Sequence, residues 1–228
     1  GYYFSLTAKI ERQYSKGLAW SVAYTKSMAS NLFDGGGDQP LSAWQGTANV
    51  FGPNAPALGY ADYVVPDRVI AMISYRKEYF KHLATTISAF YNGATNGRFS
   101  YVYDGDFNRD GVQGNDLIYI PNTTQVQQML FTSNTVNGVT YSQADQRTLF
   151  ERYIQQDKYL KAHRGQYAER NGAQLPWLNR LDVKILQDLF TNIKGTKNTL
   201  QFSIDIFNAG NLIDPGWGKL KTINNSRI

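Results

Sequence analysis

One stretch of the sequence carries oxygen-bearing side chains at alternate positions. It reads YDGDFNRDGVQGNDLIYIP, residues 103–121, and its candidate metal ligands are Asp104, Asp106, Asn108, Asp110 and Asp116. The run from Asp106 to Gly111 reads D-x-N-x-D-G, which matches positions 1, 3, 5 and 6 of a calcium loop. Alternate oxygens can converge on a hard cation while the glycine permits a sharp turn. The spacing therefore points to calcium chemistry.

The far end of the same stretch departs from the calcium pattern. Position 12 should carry a bidentate acid, but it is Leu117, and Asp116 lies one residue early. Asp, Asn and Gly are also the ordinary residues of turns. Two interpretations stay open: a plain surface turn, or a calcium loop whose shell is completed by Asp104 or Asp116. Neither interpretation makes a cofactor necessary.

The rest of the chain offers few residues for other chemistry. It has no cysteine and two histidines among 228 residues, so thiolate metal sites, disulfides and cysteine nucleophiles are excluded. No G-x-S-x-G motif is present, and no nucleophile and base can be paired by motif. The net charge of +5 comes from dispersed basic residues, not from a run suited to nucleic acid. We expect neither an enzyme nor a nucleic-acid-binding protein.

Six segments alternate apolar and polar residues with period two, as strands with one apolar face do. The predicted strands lie near residues 2–13, 18–27, 68–79, 83–92, 178–190 and 198–208. Aromatic residues form 14% of the chain, which favours β structure because flat rings pack well on a pleated surface. The expected fold class is all-β.

The predicted connections between these strands alternate between short and long. The loops near 27–67 and 104–178 far exceed the roughly 15 residues that a compact soluble domain tolerates without secondary structure. Outer-membrane β-barrels combine short periplasmic turns with long extracellular loops. No apolar run reaches the about 18 residues of a membrane-spanning helix. The chain is therefore expected to be a fragment of a large antiparallel transmembrane β-barrel.

A barrel turns its apolar face to lipid and its polar face to the lumen. A charged and polar stripe follows the last two predicted strands: Arg180, Asp182, Lys184, Gln201, Ser203 and Asp205. We predict that these side chains face the lumen, where they contact a plug or line the solute path. Tyrosines and tryptophans near the strand ends suit interfacial aromatic girdles. The competing interpretation is a soluble sandwich with these aromatics in its core.

The second long loop is predicted to contain a helix that starts at Ser142. Ser142 with Asp145 resembles a capping box. Helical spacing then puts five large side chains on one face: Leu149, Phe150, Tyr153, Ile154 and Leu160. This face packs on the floor of the loop, or it contacts a partner lipoprotein or cargo.

Four segments resemble the C-terminal barrel of TonB-dependent outer-membrane transporters. They read VVPDRVIAMISYRKEY, GNDLIYIP, LPWLNRLDVKILQDLF and FSIDIFNAGNLIDPGWG. The resemblance covers most of the chain and is strongest in the last fifty residues. It is closest to the Bacteroidota type, whose N-terminus carries a carboxypeptidase-regulatory-like domain.

This resemblance implies a barrel of about 22 strands whose lumen is filled by an N-terminal plug. It implies import of a bulky nutrient across the bacterial outer membrane, with the long loops extracellular. The implied partners are outer-membrane lipid, the plug domain, the TonB complex through a missing N-terminus, and a surface lipoprotein. Plug, TonB box and final strand are all absent from the chain, so we expect a segment of a longer protein.

Two alternatives to the transporter stay open. One is another barrel of the same membrane, such as a porin, an adhesin or a secretion channel. The other is a soluble secreted β-domain that binds glycan. No loop motif indicates a substrate.

Overall fold

A computed structural model of the chain describes residues 1–34, 36–55, 57–193, 196–223 and 226–227. The strands are β1 (Tyr2–Ser15), β2 (Leu18–Asn31), β3 (Gly59–Tyr60), β4 (Asp67–Tyr79), β5 (Leu83–Thr95), β6 (Arg98–Phe99), β7 (Tyr119–Ile120), β8 (Asn134–Val136), β9 (Val139–Tyr141), β10 (Gln166–Tyr167), β11 (Ala173–Gln174), β12 (Trp177–Ile193) and β13 (Thr196–Ile206). The helices are α1 (Pro40–Gly46), α2 (Thr123–Gln128), α3 (Gln143–Gln156) and α4 (Lys158–Ala162), with a 3-10 helix at Ala209–Leu212. None of the described helices is long and apolar enough to cross a membrane.

Strand residues make up 46% of the protein and helical residues 17%, and the strands pair in antiparallel sheets. The fold is therefore mainly β, as the alternation predicts. Its principal sheet contains six long strands in the order β1-β2-β4-β5-β12-β13, and β3 pairs with the end of β2. Each long strand lies beside the next long strand along the chain, so the sheet is a meander.

The six long strands correspond to the six predicted segments, with shifted ends. β2 continues to Asn31, beyond the predicted residue 27, because its last residues pair with the first residues of β1, such as Ser30 with Tyr2. β13 ends at Ile206, before the predicted residue 208. Asn208 takes a left-handed conformation with φ of 53°, which ends extended pairing and starts the 3-10 helix.

The two ends of the sheet carry different connections. At the turn end, Lys16 and Gly17 join β1 to β2, and residues 80–82 join β4 to β5. Gly17 has φ of +82°, and a Cβ there would lie 2.2 Å from the Arg76 carbonyl oxygen, so only glycine fits. At the loop end, residues 32–66 and 96–176 leave the sheet and return to it. We call these two segments together the cap.

The second segment of the cap folds around its own hydrophobic core. The buried residues of that core are Tyr101, Val102, Leu117, Ile118, Ile120, Val126, Ile154, Leu160, Ala168 and Ala173. The predicted single helix is divided into α3 and α4, because Asp157 is extended and caps the start of α4. Ser142 and Asp145 form the expected capping box at the start of α3: each side chain accepts from the other's backbone N–H. Ile154 and Leu160 are buried, whereas Leu149 is 44% exposed. The helical face therefore packs inward along only part of its length.

Candidate functional site on a two-faced sheet and its cap

One face of the principal sheet is apolar and exposed across all six long strands. Directly paired residues point to the same face, so the pairing fixes its composition. Large apolar residues on this face are 37–69% exposed: Tyr2, Phe4, Leu6, Ile10, Val22, Tyr24, Met28, Ile73, Tyr75, Ile87, Leu189, Leu200, Phe202, Ile204 and Ile206. An exposed apolar area of this extent marks a surface made for contact with something other than water.

Polar groups border this apolar face at both ends. Near the loop end, Lys26 Nζ donates to the Asp67 carboxylate at 2.9 and 3.0 Å, and the Tyr24 hydroxyl donates to the same group. Near the turn end, the Tyr79 hydroxyl lies 2.9 Å from Gln187 Oε1. The apolar residues therefore form a band across the sheet, with hydrogen-bonded polar groups above and below it.

The opposite face of the sheet is polar, and its side chains bond to each other between strands. All six residues predicted to line a lumen lie on this face. Lys184 Nζ lies 3.1 Å from Asp205 Oδ1, and Ser203 Oγ donates to Asp205 Oδ2 at 2.8 Å. Arg180 Nε lies 3.3 Å from the Asp182 carboxylate, and Gln201 reaches Asp188. The structure thus places the six predicted residues on one face of the sheet.

Asp188 ties four strands of the polar face together. Its side chain is 5% exposed, and its two carboxylate oxygens accept from Arg76 Nη1 and from Gln201 Nε2, each at 2.7 Å. The Arg76 guanidinium also donates to Thr86 Oγ1 at 3.3 Å. These contacts join β12 to β4, β13 and, through Arg76, β5.

Replacing Asp188 by alanine is expected to destabilise the sheet by about 2 kcal/mol, because Arg76 and Gln201 both lose the buried carboxylate that accepts their hydrogen bonds. Chemical unfolding of the native protein measures this loss. Asp205→Ala, which removes an exposed ion pair on the same face, serves as the control and should cost less. Equal losses for both variants would contradict a special role for the buried carboxylate.

The two segments of the cap dock through Arg170 and its neighbour. Arg170 is 4% exposed, and its guanidinium donates to the carbonyl oxygens of Leu32 and Asn31, each at 2.5 Å, and to Asn31 Oδ1 at 2.6 Å. Asn171 Nδ2 donates to Asp34 Oδ2 at 2.8 Å and to the Tyr60 carbonyl at 2.9 Å. The end of β2 is thereby held against the second segment of the cap.

A cavity of about 550 Å³ lies between the two segments of the cap. Its walls are mostly apolar and include Phe33, Trp44, Phe51, Leu58 and Leu117, with Arg170 at one side. The Trp44 indole N–H donates to Asn54 Oδ1 at 3.0 Å, which fixes the ring in the wall. A space of this size and lining can hold an apolar ligand group or side chain.

The aspartate stretch is a tight turn within the cap, and it joins the two cap segments. Asp106 accepts from the backbone N–H groups of Asp110 and Gly111 at 3.1 and 2.9 Å. Asp116 Oδ2 accepts from the N–H groups of Phe107 and Asn108 at 2.6 and 3.2 Å. The Asp104 side chain lies apart: it is 77% exposed and 3.9 Å from Arg227 Nη1. Within the described ranges, no three His, Cys, Asp or Glu side chains are grouped as metal ligands.

A bidentate ion pair secures α3 inside the cap. Arg164 Nη2 lies 2.6 Å from Glu151 Oε1, and Arg164 Nη1 donates to Glu151 Oε2 at 3.2 Å and to the Pro121 carbonyl at 3.0 Å. Burial alone would raise the pKa of Glu151. Hydrogen bonds from Gln155 and Arg164, with the charge of Arg164, outweigh it and hold that pKa below its usual value.

Because the folded pKa of Glu151 is lowered, its contribution to stability is present above the ordinary glutamate pKa of about 4.3. That contribution is lost as the pH falls through the lower folded value. We expect amide exchange in α3 and around Arg164 to accelerate in this acidic window. Hydrogen exchange measured across the window checks this, with Glu151→Gln as the control. If amide exchange in α3 of Glu151→Gln depends on pH as strongly as in the native protein, Glu151 is not the group that titrates.

Several features of this region are not among those predicted from the sequence. One of them, helix α2, does have a sequence signal, because Asn122 and Gln125 form a capping box at its start. Helix α1 begins with Pro40 and has no side-chain cap hydrogen bond at its start. The role of Arg170 has no local signal, because its partners lie more than 130 residues away in the chain.

Comparison with known protein families, with curated proteins and with solved structures finds no match to this chain.

Proposed function

We propose that this chain forms part of the wall and of the extracellular mouth of a TonB-dependent outer-membrane transporter that imports a bulky nutrient. The observation that carries the proposal is a six-stranded antiparallel sheet with one exposed apolar face and one hydrogen-bonded polar face. A strand wall between lipid and an aqueous lumen needs this distribution. The assignment to TonB-dependent transporters rests on the resemblance of the four segments described above.

The height of the apolar band supports a membrane position. On β4 the polar borders are Asp67 and Lys77, ten residues apart on the apolar face. At about 3.3 Å per residue the borders are about 33 Å apart along the strand. A barrel strand tilted by about 40° would reduce this to about 25 Å along the membrane normal, which is the usual height of the lipid-facing band.

The rival soluble sandwich is less well supported. In a sandwich the apolar faces of two sheets pack against each other at about 10 Å. The remaining sheets among the described residues are two-stranded and lie in the cap, including the short hairpin of β8 and β9. Side chains such as Leu6 and Ile10 on the apolar face stay 62% and 69% exposed. Lipid accounts for this exposure without requiring a second sheet.

Each surface has a role in the proposed protein. Outer-membrane lipid would contact the apolar band, and the N-terminal plug domain would contact the polar face that carries Arg180, Lys184 and Asp205. The cap would lie on the extracellular side, where a surface lipoprotein could bind. The TonB complex would act through the N-terminal part of the transporter. We assign no catalytic role to any residue.

Detergent-phase partition of the intact native protein from isolated membranes tests membrane location. We expect a membrane-bound species several times heavier than the 25.7 kDa of this chain. A species near this mass that stays in buffer without detergent would refute the barrel and favour a soluble glycan-binding domain.

Spin labels on adjacent residues test which face meets lipid. The chain contains no cysteine, so single cysteines at Leu6 and Ile204 can be compared with cysteines at Thr7 and Ser203. We expect the first pair to be accessible to oxygen dissolved in lipid and the second pair to a water-soluble nickel complex. The reverse pattern, or equal water access at all four positions, would rule out the proposed orientation.

Energy dependence separates a TonB-dependent transporter from a porin or an adhesin. We expect nutrient uptake by cells that carry the protein to stop when the proton gradient is collapsed or when TonB is deleted. Uptake that continues under both conditions would assign the chain to a passive barrel.

A further inference from the structure

We infer that the turn formed by residues 106–116 is a calcium site that joins the two segments of the cap. This inference goes beyond the transporter proposal and does not depend on it. It rests on buried oxygen atoms that the protein itself does not satisfy.

Unsatisfied polar atoms are concentrated in this turn. Among the described residues, seven buried side-chain nitrogen and oxygen atoms lack a hydrogen-bond partner, and five belong to Asn108, Asp110, Asn115 and Asp116. Three of the five are oxygens: Asp110 Oδ2, Asn115 Oδ1 and Asp116 Oδ1. A buried polar atom without a partner is costly, so such a cluster needs a ligand to explain it. A hard cation accepts carboxylate and amide oxygens together.

Asp116 is the strongest single indication of a ligand. It is 2% exposed, and its Oδ2 accepts two backbone N–H groups of the turn, which holds the carboxylate against residues 107 and 108. Its other oxygen, Oδ1, has no partner. A buried carboxylate oxygen without a partner is costly, and a bound cation would remove that cost.

The backbone of the turn bends at the glycine position of a calcium loop. Asp106 at position 1 accepts from the N–H groups of positions 5 and 6, and Gly111 at position 6 has φ of +90°, a value that favours glycine. Residues 103–117 contain four aspartates and one arginine, so their formal charge is −4 + 1 = −3 although the whole chain carries +5. The local charge therefore favours a divalent cation.

The inferred ligand set differs from the one that spacing alone predicts. It draws on Asp110 and Asp116, on the amide oxygen of Asn115 and on backbone carbonyl oxygens. Asp104 falls outside it because its side chain faces solvent near Arg227. Two carboxylates with neutral oxygens form a calcium site of modest charge, which is consistent with the lack of a three-acid group among the described residues.

A cation at this point would tie the two cap segments together. Asn49 of the first segment donates its N–H to the Asn115 carbonyl at 2.9 Å, and its own carbonyl accepts from Leu117 N–H at 2.7 Å. The Tyr103 N–H donates to the Asp116 carbonyl at 2.8 Å. Asn115 and Asp116 thus carry side-chain oxygens without partners and hold Asn49 and Tyr103 through their backbone.

Calcium binding to the intact native protein tests the inference. After chelation with EGTA and dialysis, bound calcium is counted at equilibrium for the native protein and for Asp110→Asn and Asp116→Asn. Both variants keep the size of the side chain and one oxygen, but they remove the charge and replace the second oxygen by an NH2 group. We expect each to lose one bound calcium ion per chain relative to the native protein. Asp104→Asn is the matched control, and it should keep the native count.

A second measurement needs no variant and covers the case in which a variant fails to fold. Calcium, but not magnesium, should slow amide exchange at residues 47–52 and 103–117 of the chelated native protein. Native protein whose exchange there does not respond to calcium overturns the inference. The inference is also wrong if the single variants Asp110→Asn and Asp116→Asn both fold and both bind as many calcium ions as the native protein.

Discussion

Replacing Ile73 by arginine is expected to cost about 2–4 kcal/mol of stability in a lipid bilayer. Ile73 lies in the middle of β4, on the apolar face, and is 51% exposed. A charge at the centre of a lipid-facing barrel surface is penalised by about this amount, and the penalty falls toward the interfaces. The free energy of unfolding in lipid vesicles and the yield of folded protein in the outer membrane both measure the effect.

The adjacent residue provides a matched control for this substitution. Met72 is 44% exposed and points to the opposite, polar face of the same strand. Met72→Arg adds the same charge at the same depth but on the side assigned to the lumen, so it should cost well under half as much. If both substitutions cost the same, or if Ile73→Arg is neutral as on a water-facing sheet, the lipid-facing assignment is wrong.

Replacing Arg170 by alanine is expected to release the first segment of the cap from the second. The substitution removes three charge-assisted hydrogen bonds, two of them to backbone carbonyls. We expect a local loss of about 3 kcal/mol, which corresponds to roughly 100-fold faster amide exchange. The change should appear at residues 29–34 and 59–61, whereas the centre of the principal sheet keeps its protection.

Two further variants test whether faster amide exchange results from loss of the Arg170 hydrogen bonds. Arg170→Lys keeps the charge but lacks the planar fork, so it should recover little of the protection. Arg152→Ala removes an exposed arginine of the same cap segment and should leave exchange at residues 29–34 unchanged. If Arg170→Ala leaves the exchange rates at these residues unchanged, the two segments dock by other contacts.

The strands of the principal sheet can be predicted from the sequence because each strand shows its own alternation of apolar and polar residues. A strand such as β13 shows Leu200, Phe202, Ile204 and Ile206 at alternate positions, and one apolar face is enough to fix which side each residue takes. The ends of the strands are less predictable. Pairing between Ser30 and Tyr2 extends β2, and neither residue signals a strand end by its type.

The cap is predictable only where a single short motif decides the outcome. Ser142 and Asp145 start α3 through contacts three residues apart, so the sequence alone suffices. The cavity wall and the contacts of Arg170 depend on residues that lie far apart in the chain. The residue types alone, apolar or charged, do not show which of these residues are in contact. The aspartate turn is intermediate: its spacing is visible in the sequence, but the burial of Asn115 and Asp116 is not.

The order of the principal sheet has a practical consequence for expression of this chain. β1 and β13 lie at its two sides, and within the described ranges no strand covers their outer edges. Unpaired edges of 14 and 11 residues are templates for strand addition by other chains. Together with the exposed apolar band, they would drive the 228-residue chain into concentration-dependent aggregates. Inclusion bodies, and not a refolded monomer, are the expected product when this chain is expressed in water without lipid or detergent.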